Sequence, residues 1–232
     1  MSSIEQSRDE RADAGDFRLH VVAESIRLFA ENGYESTSVE AIAAAAGVSR
    51  RTFFRQFGSK DDVIFADHEV LLARVSDMLD ADDGDPWIAV CRAAEMVFDH
   101  FLRTRDLASR RMRVVQEVPS LRDRELVTTY RYQRMFEEFL RERITDESAV
   151  HIVAFAAAIT SAHNYLLRSM IRGDADATPE RLHRSLARIR SALGATDRTE
   201  VAVVTFRAGT SVDEISRAVA DQIGDLGNPT PR

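Results

Sequence analysis

Apolar residues recur at helical spacing along nearly the whole chain. Leu19, Val22, Ile26 and Phe29 predict a first helix over about 17–32, stopped by Gly33. Val39, Ile42 and Ala43 give a short second helix its buried face, with Thr37 as N-cap and Glu40 completing a capping box. Gly47 supplies a tight turn, because glycine reaches backbone angles that other residues resist. Ser49 caps a third helix over 50–57, in which Phe53 and Phe57 fall on one side. Ser59 with Asp62 forms another capping box and opens a longer helix over about 60–79, with Ile64, Leu71, Leu72, Val75 and Leu79 inward.

Pro86 starts the next helix, which carries Trp87, Val90, Val97, Phe98 and Phe101 to about residue 103. Segments 106–117 and 120–144 follow, separated by Pro119. The segment 147–172 is the most apolar, and a helix apolar nearly all round must be buried on several faces. Its Ala154, Ala156, Ala157 and Ala158 make one side thin enough for a close neighbour, and 179–193 pairs naturally with it. In the tail, 201–206 is β-branched and apolar and reads as a short strand. Ser211 with Glu214 then caps a last amphipathic helix carrying Val212, Ile215, Val219 and Ile223.

The expected fold is therefore all-α. Residues 1–15 are polar and charged and read as a disordered arm, 16–62 as a three-helix unit, 63–198 as a larger helical bundle, and 199–232 as an extension with a short strand and an extra helix. A chain of 232 residues with 44% hydrophobic content can bury a real core. The net charge of −7 argues against nucleic acid only on whole-chain summation, since affinity depends on where charge sits. From Gly47 to Lys60 there are basic residues and no acid, and Lys60 is the only lysine in the chain. One cysteine, Cys91, excludes an intramolecular disulfide and a cysteine-based zinc site. No apolar run reaches membrane-spanning length and no signal-peptide core opens the chain, so a cytoplasmic protein is expected.

Two short helices joined at a glycine turn follow helix-turn-helix logic: one helix braces and the next enters the DNA major groove. On the third helix Arg51, Thr52 and Arg55 face away from the Phe53 and Phe57 side, Phe54 and Gln56 flank them, and Arg50 sits at the start. Arginine's forked donors fit guanine O6 and N7, and equally phosphate. A solvated basic helix in an ordinary bundle is the plainer alternative. The caps, the small-residue turn and the aromatic core side favour DNA.

These residues carry a resemblance. The stretch Ala30-Glu31-Asn32-Gly33-Tyr34, then Thr37-Ser38-Val39, Ile42-Ala43, Ala46-Gly47-Val48-Ser49, Thr52, Phe57 and Ser59-Lys60 resembles the TetR family of transcriptional regulators over about the first quarter of the chain. The resemblance implies a homodimer, usually a repressor, released from a DNA operator by a small effector, with dimer contacts through 147–172 and 179–193. It implies phosphate contacts from Thr37 and Lys60 and places Arg51, Thr52 and Arg55 near bases. Ser38, Ser49, Arg50, Phe54 and Gln56 complete the candidate double-stranded DNA interface. Phe54 stands where tyrosine is common, Gln56 where an aromatic is common, and Arg51 where a small residue or proline is frequent, so the operator sequence does not carry over.

For an effector site, polar groups beside apolar ones would orient a mostly apolar molecule. Arg113, Gln116 and Tyr132, with Phe98, Phe101, Phe136 and Phe155 as walls and His163 and Asn164 as polar exceptions on the apolar helix, are the candidates. No cofactor and no metal site is expected. His68 lies between Asp67 and Glu69, but adjacent helical residues diverge and cannot chelate as a set. The acidic run 80–85 lacks the spacing of a calcium loop. No GxSxG, P-loop or HExxH pattern is present, so no catalytic residue and no enzyme is expected. A ligand-independent architectural DNA-binding protein is the alternative, and a filled bundle core would favour it.

Overall fold

A computed structural model of the chain describes residues 2–193, with side chains from Phe17 onward. Among the described residues there are ten helices and no strand: α1 Ser2–Asn32, α2 Val39–Ala45, α3 Arg50–Phe57, α4 Lys60–Ile64, α5 Ala66–Asp80, α6 Pro86–Arg103, α7 Arg105–Glu117, α8 Pro119–Arg143, α9 Ala149–Arg172 and α10 Pro179–Leu193. The strand expected at 201–206, the helix after it and the rest of the 199–232 extension lie outside the described residues.

Two expected boundaries change. α1 begins at Ser2, so the helix takes in the stretch expected as an arm. That stretch has no proline, and its Glu, Arg and Ala residues tolerate helix well. The long helix expected over 60–79 is two helices broken at Phe65, which adopts φ −108° and ψ 7°. There the hydrogen bonds tighten to three-residue spacing, Phe65 N donating to Asp62 O (3.2 Å) and His68 N to Phe65 O (3.0 Å). The break divides residues that serve two cores. Val63, Ile64, Phe65 and Ala66 belong to the N-terminal core, whereas Leu71, Leu72, Val75 and Leu79 belong to the bundle core.

The N-terminal core packs Val22, Ile26 and Phe29 of α1 against Ile42 of α2 and Phe53 and Phe57 of α3. It also receives Val114 and Val115 of α7 and Leu121 of α8, so packing crosses the division expected near residue 62. The bundle core gathers α5, α6, α8, α9 and α10 around Phe98, Phe155, Leu140 and Ile159, all fully buried. By length and composition α9 could cross a membrane, with a mean hydropathy of 1.3, contrary to the expectation that no run would reach that length. Here it is the central helix of the bundle, packed on α6, α8 and α10. It ends at Gly173 in the left-handed conformation (φ 97°), where a side chain would be strained.

Candidate functional site

The basic helix is fixed from three directions. Ser49 Oγ accepts from Thr52 N (3.0 Å) and caps α3 as expected. Gly47, at φ 68°, turns the chain so that Val48 N reaches Ala43 O (2.8 Å). Arg18 of α1 donates to Gln56 O (3.1 Å) and lies 5.2 Å from the Phe57 ring centre, tying the far end of α3 to the brace. With Phe53 and Phe57 sealed in the core, α3 has only one rotation available, and Arg51 and Arg55 are exposed on its other side. Among the described residues neither makes an ion pair. Arg50 does, with Glu40 (3.0 Å), and its guanidinium sits 5.4 Å from the ring of the half-exposed Phe54. Thr52 and Gln56 are half-buried.

Thr37 and Lys60, the two expected phosphate contacts, are both engaged within the protein. Ser38, not Thr37, is the N-cap of α2, accepting from Ala41 N (3.1 Å). Thr37 is buried, and its hydroxyl donates inward to Gly33 O (2.8 Å), so it is not offered to DNA. Adjacent Thr and Ser can each cap, and only the backbone path decides which does. Lys60 Nζ donates to Tyr34 O (2.9 Å) and lies within 3.4 Å of Thr37 O and 4.0 Å of the Tyr34 ring centre. Tyr34 OH bonds Asp61 in turn. Lys60 therefore clasps the α1–α2 loop to α4, which positions the reading unit whether or not a phosphate also reaches it.

A second site lies in the bundle. A cavity of about 90 Å³ opens between α5, α6, α7, α8 and α9. Of the nine residues expected to line a pocket, Phe101, Tyr132, Phe136, His163 and Asn164 do. Four do not. Arg113 and Gln116 point to solvent, Phe155 packs edge-on against Trp87 (4.6 Å between ring centres), and Phe98 lies behind His163 in the core. The reason is helical phase on α7: Ala108, Arg111 and Val115 share the inner face, which turns Arg113 and Gln116 outward.

The sequence reading missed Arg111, His68, Thr128, Thr129 and Thr160, all of which line the cavity. Arg111 was hidden in an arginine-rich run and could have been found from its phase with Val114 and Val115. It donates through Nη1 to Asp67 Oδ1 (2.9 Å) and through Nη2 to Asp67 Oδ2, both residues buried. Burial pushes the Asp67 carboxyl up, but the Arg111 charge and hydrogen bonds outweigh it and hold it below the usual carboxylate range. His68 keeps some surface towards the cavity, with Nδ1 3.3 Å from Tyr132 OH. It is not part of a metal cluster among the described residues.

Burial pushes both His68 and His163 down to about 4, for His68 against the pull of Asp67. Unfolded, each titrates near about 6.5. Between those values the unfolded chain binds more protons, so stability is complete above about 6.5 and falls as pH drops towards 4. Each histidine should cost about 2 kcal/mol of stability at pH 5 relative to pH 7. Urea midpoints at the two pH values test this: His163→Gln should remove its share of the difference, and an unchanged difference would show that His163 is not the cause.

Comparison with known proteins bears on the N-terminal unit and on the fold. Residues 21–66 match the family model for bacterial regulatory proteins of the tetR family. The chain is 32% identical over 126 residues to MftR of Mycobacterium tuberculosis, named as a candidate mycofactocin biosynthesis transcriptional regulator, over 53% of this chain and 64% of that one. It is 50% identical over 46 residues to the HTH-type transcriptional regulator TcmR of Streptomyces glaucescens, 20% of each chain. The chain thus spans less than two thirds of the curated relatives it matches. A candidate transcriptional regulator from Pseudomonas aeruginosa PAO1 shares the fold at TM-score 0.55 and 17% identity, over 77% of this chain and 90% of that one. A transcriptional regulator of the TerR/AcrR family from Aquifex aeolicus VF5 does so at TM-score 0.52 and 20% identity, over 75% and 99%.

Proposed function

The chain belongs, through its N-terminal domain, to the TetR family of bacterial regulatory proteins, and from that premise we propose that it is a ligand-responsive transcriptional repressor. Acting in the cytoplasm as a homodimer, it binds a palindromic operator with α3 in the major groove and leaves when a small, mostly apolar effector fills the bundle cavity. The observation that carries this reading is the pair of exposed guanidinium groups of Arg51 and Arg55, without an ion pair among the described residues and opposite a fully sealed core side.

The dimer uses α9 and α10. Val150, Ala154, Ser161 and Tyr165 form an exposed stripe along α9 whose small members admit a close helix, and Val150 and Tyr165 are 78% and 64% exposed. The effector acts through α5 and α7, because Ala108, Arg111 and Val115 line the cavity while Val114 and Val115 sit in the N-terminal core. A ligand switches DNA affinity only as far as it favours one arrangement over the other. The cavity speaks against the ligand-independent architectural alternative, which called for a filled core.

Selection of bound fragments from random double-stranded DNA by the purified protein tests the reading. An inverted repeat should emerge, with half-site centres about one helical turn, roughly 34–36 Å, apart. Enrichment of no sequence over the starting pool would refute it.

A further inference from the structure

The cavity's polar atoms define the chemistry of what it holds. Three buried side-chain atoms have no hydrogen-bond partner among the described residues, Arg111 Nε, Thr160 Oγ1 and His163 Nε2, and all three residues line this one cavity. Each residue is only 6% exposed. Leaving such atoms unpaired is unfavourable, and native structures rarely do so without a functional reason.

Thr160 is the telling case. A helical hydroxyl ordinarily donates to the carbonyl four residues back, as Thr128 does to Arg124 O (3.0 Å), Ser25 to Val21 O (2.7 Å) and Thr104 to His100 O (3.0 Å). Thr160 makes no such bond. It lies three residues before His163, so the two share one face of α9.

Charge balance and donor count narrow the ligand further. Arg111 is neutralised by Asp67, and Arg168 is paired with Glu125 (3.2 Å) at the exposed rim. His163 Nδ1–H donates to Asn164 Oδ1 (3.2 Å), and its burial keeps the ring neutral, so Nε2 is an acceptor. The site thus offers donors from Arg111 Nε–H and the Thr160 hydroxyl and asks for one donor at His163 Nε2. A carboxylate cannot donate, finds no uncompensated cation and meets the lone pair of Nε2. An ammonium meets Arg111 N–H and has nothing to accept it with. A hydroxyl has one donor and two acceptor lone pairs, which is the complement required. The remaining wall, including Val97, Phe101, Met112, Phe136 and Leu167, is apolar. At about 90 Å³ the cavity has room for a small molecule.

We propose that the cavity takes a small, neutral, hydroxyl-bearing apolar molecule, an alcohol or phenol, with its hydroxyl at Thr160, His163 and Arg111 and its hydrocarbon against the aromatic wall. This rests on the reading of the cavity as the effector site. Thermal melts of the full chain at pH 7.5 with benzyl alcohol, toluene, benzoate and benzylamine test both. Benzyl alcohol should raise Tm by mass action, toluene should bind about tenfold more weakly for want of the hydrogen bonds, and the two ions should leave Tm unchanged. Thr160→Val keeps the shape, and should weaken benzyl alcohol about tenfold while sparing toluene. Toluene binding as tightly as benzyl alcohol, benzoate or benzylamine raising Tm, or Thr160→Val leaving benzyl alcohol unaffected, would overturn the hydroxyl assignment and leave an effector site of other chemistry. Silence from all four probes would overturn the effector site itself.

Discussion

Asp67→Ala should lower the free energy of unfolding by about 3–5 kcal/mol, because it strands the Arg111 guanidinium in the protein interior. The side chains of Asp67 and Arg111 are 3% and 7% exposed, and the carboxylate accepts from both terminal guanidinium nitrogens. The loss is therefore mainly the cost of an uncompensated buried charge and only secondarily the value of the contact. Arg111→Met should cost a similar amount by stranding the carboxylate. The double variant Asp67→Leu, Arg111→Met should recover most of the loss, since apolar side chains of like volume often replace a buried pair without penalty. Denaturant melts of all three decide it. A loss below about 1 kcal/mol in either single variant would mean that water or a neighbour already compensates the charge.

The double variant also separates stability from signalling. Asp67 is the second residue of α5, just past the break at Phe65, and Arg111 lies on the α7 face whose next turn enters the N-terminal core. The pair joins the two helices through which a filled cavity could be felt at α3. Its apolar replacement should fold and bind DNA yet respond less to a cavity ligand, as a smaller coupling free energy between the sites. Equal coupling in parent and double variant would move the path elsewhere, with α8 and Leu121 the next place to look.

The N-terminal unit was legible in the sequence because its signals are local. Ser49, Gly47 and the Phe53–Phe57 spacing each act within a few residues, and each appears where expected. Thr37 and Ser38 show where local signals stop: two adjacent hydroxyls offer the same cap, and the burial of Thr37 under α1 selects between them. The break at Phe65 was hidden for another reason. Apolar periodicity continues through it, and only the existence of two separate cores gives the backbone cause to tighten there. The cavity was half visible. Aromatic and histidine candidates on α6, α8 and α9 were recoverable from composition, but Arg111 and Thr160 matter through long-range pairing, or its absence, which no spacing reveals.

Replacing both Arg51 and Arg55 with alanine should weaken operator binding by about 2 kcal/mol or more, on the order of 30-fold, while leaving stability within about 0.5 kcal/mol. Both side chains are exposed and free of ion pairs among the described residues, so folding does not depend on them. Each single change should cost about 1–3 kcal/mol if its guanidinium forks onto a guanine, and should relax preference at one operator position. The two lie one turn apart and can share a base step, so their sum is not assured. Arg50→Ala is the matched control. It starts the same helix but is already engaged by Glu40 and Phe54, and its loss should lower affinity less and leave base preference intact. A phosphate contact would instead weaken all sequences alike and flatten the salt dependence. Anisotropy titrations at two salt concentrations separate these outcomes. If the doubly substituted protein kept both its affinity and its sequence preference, the outward face of α3 would not be what reads DNA.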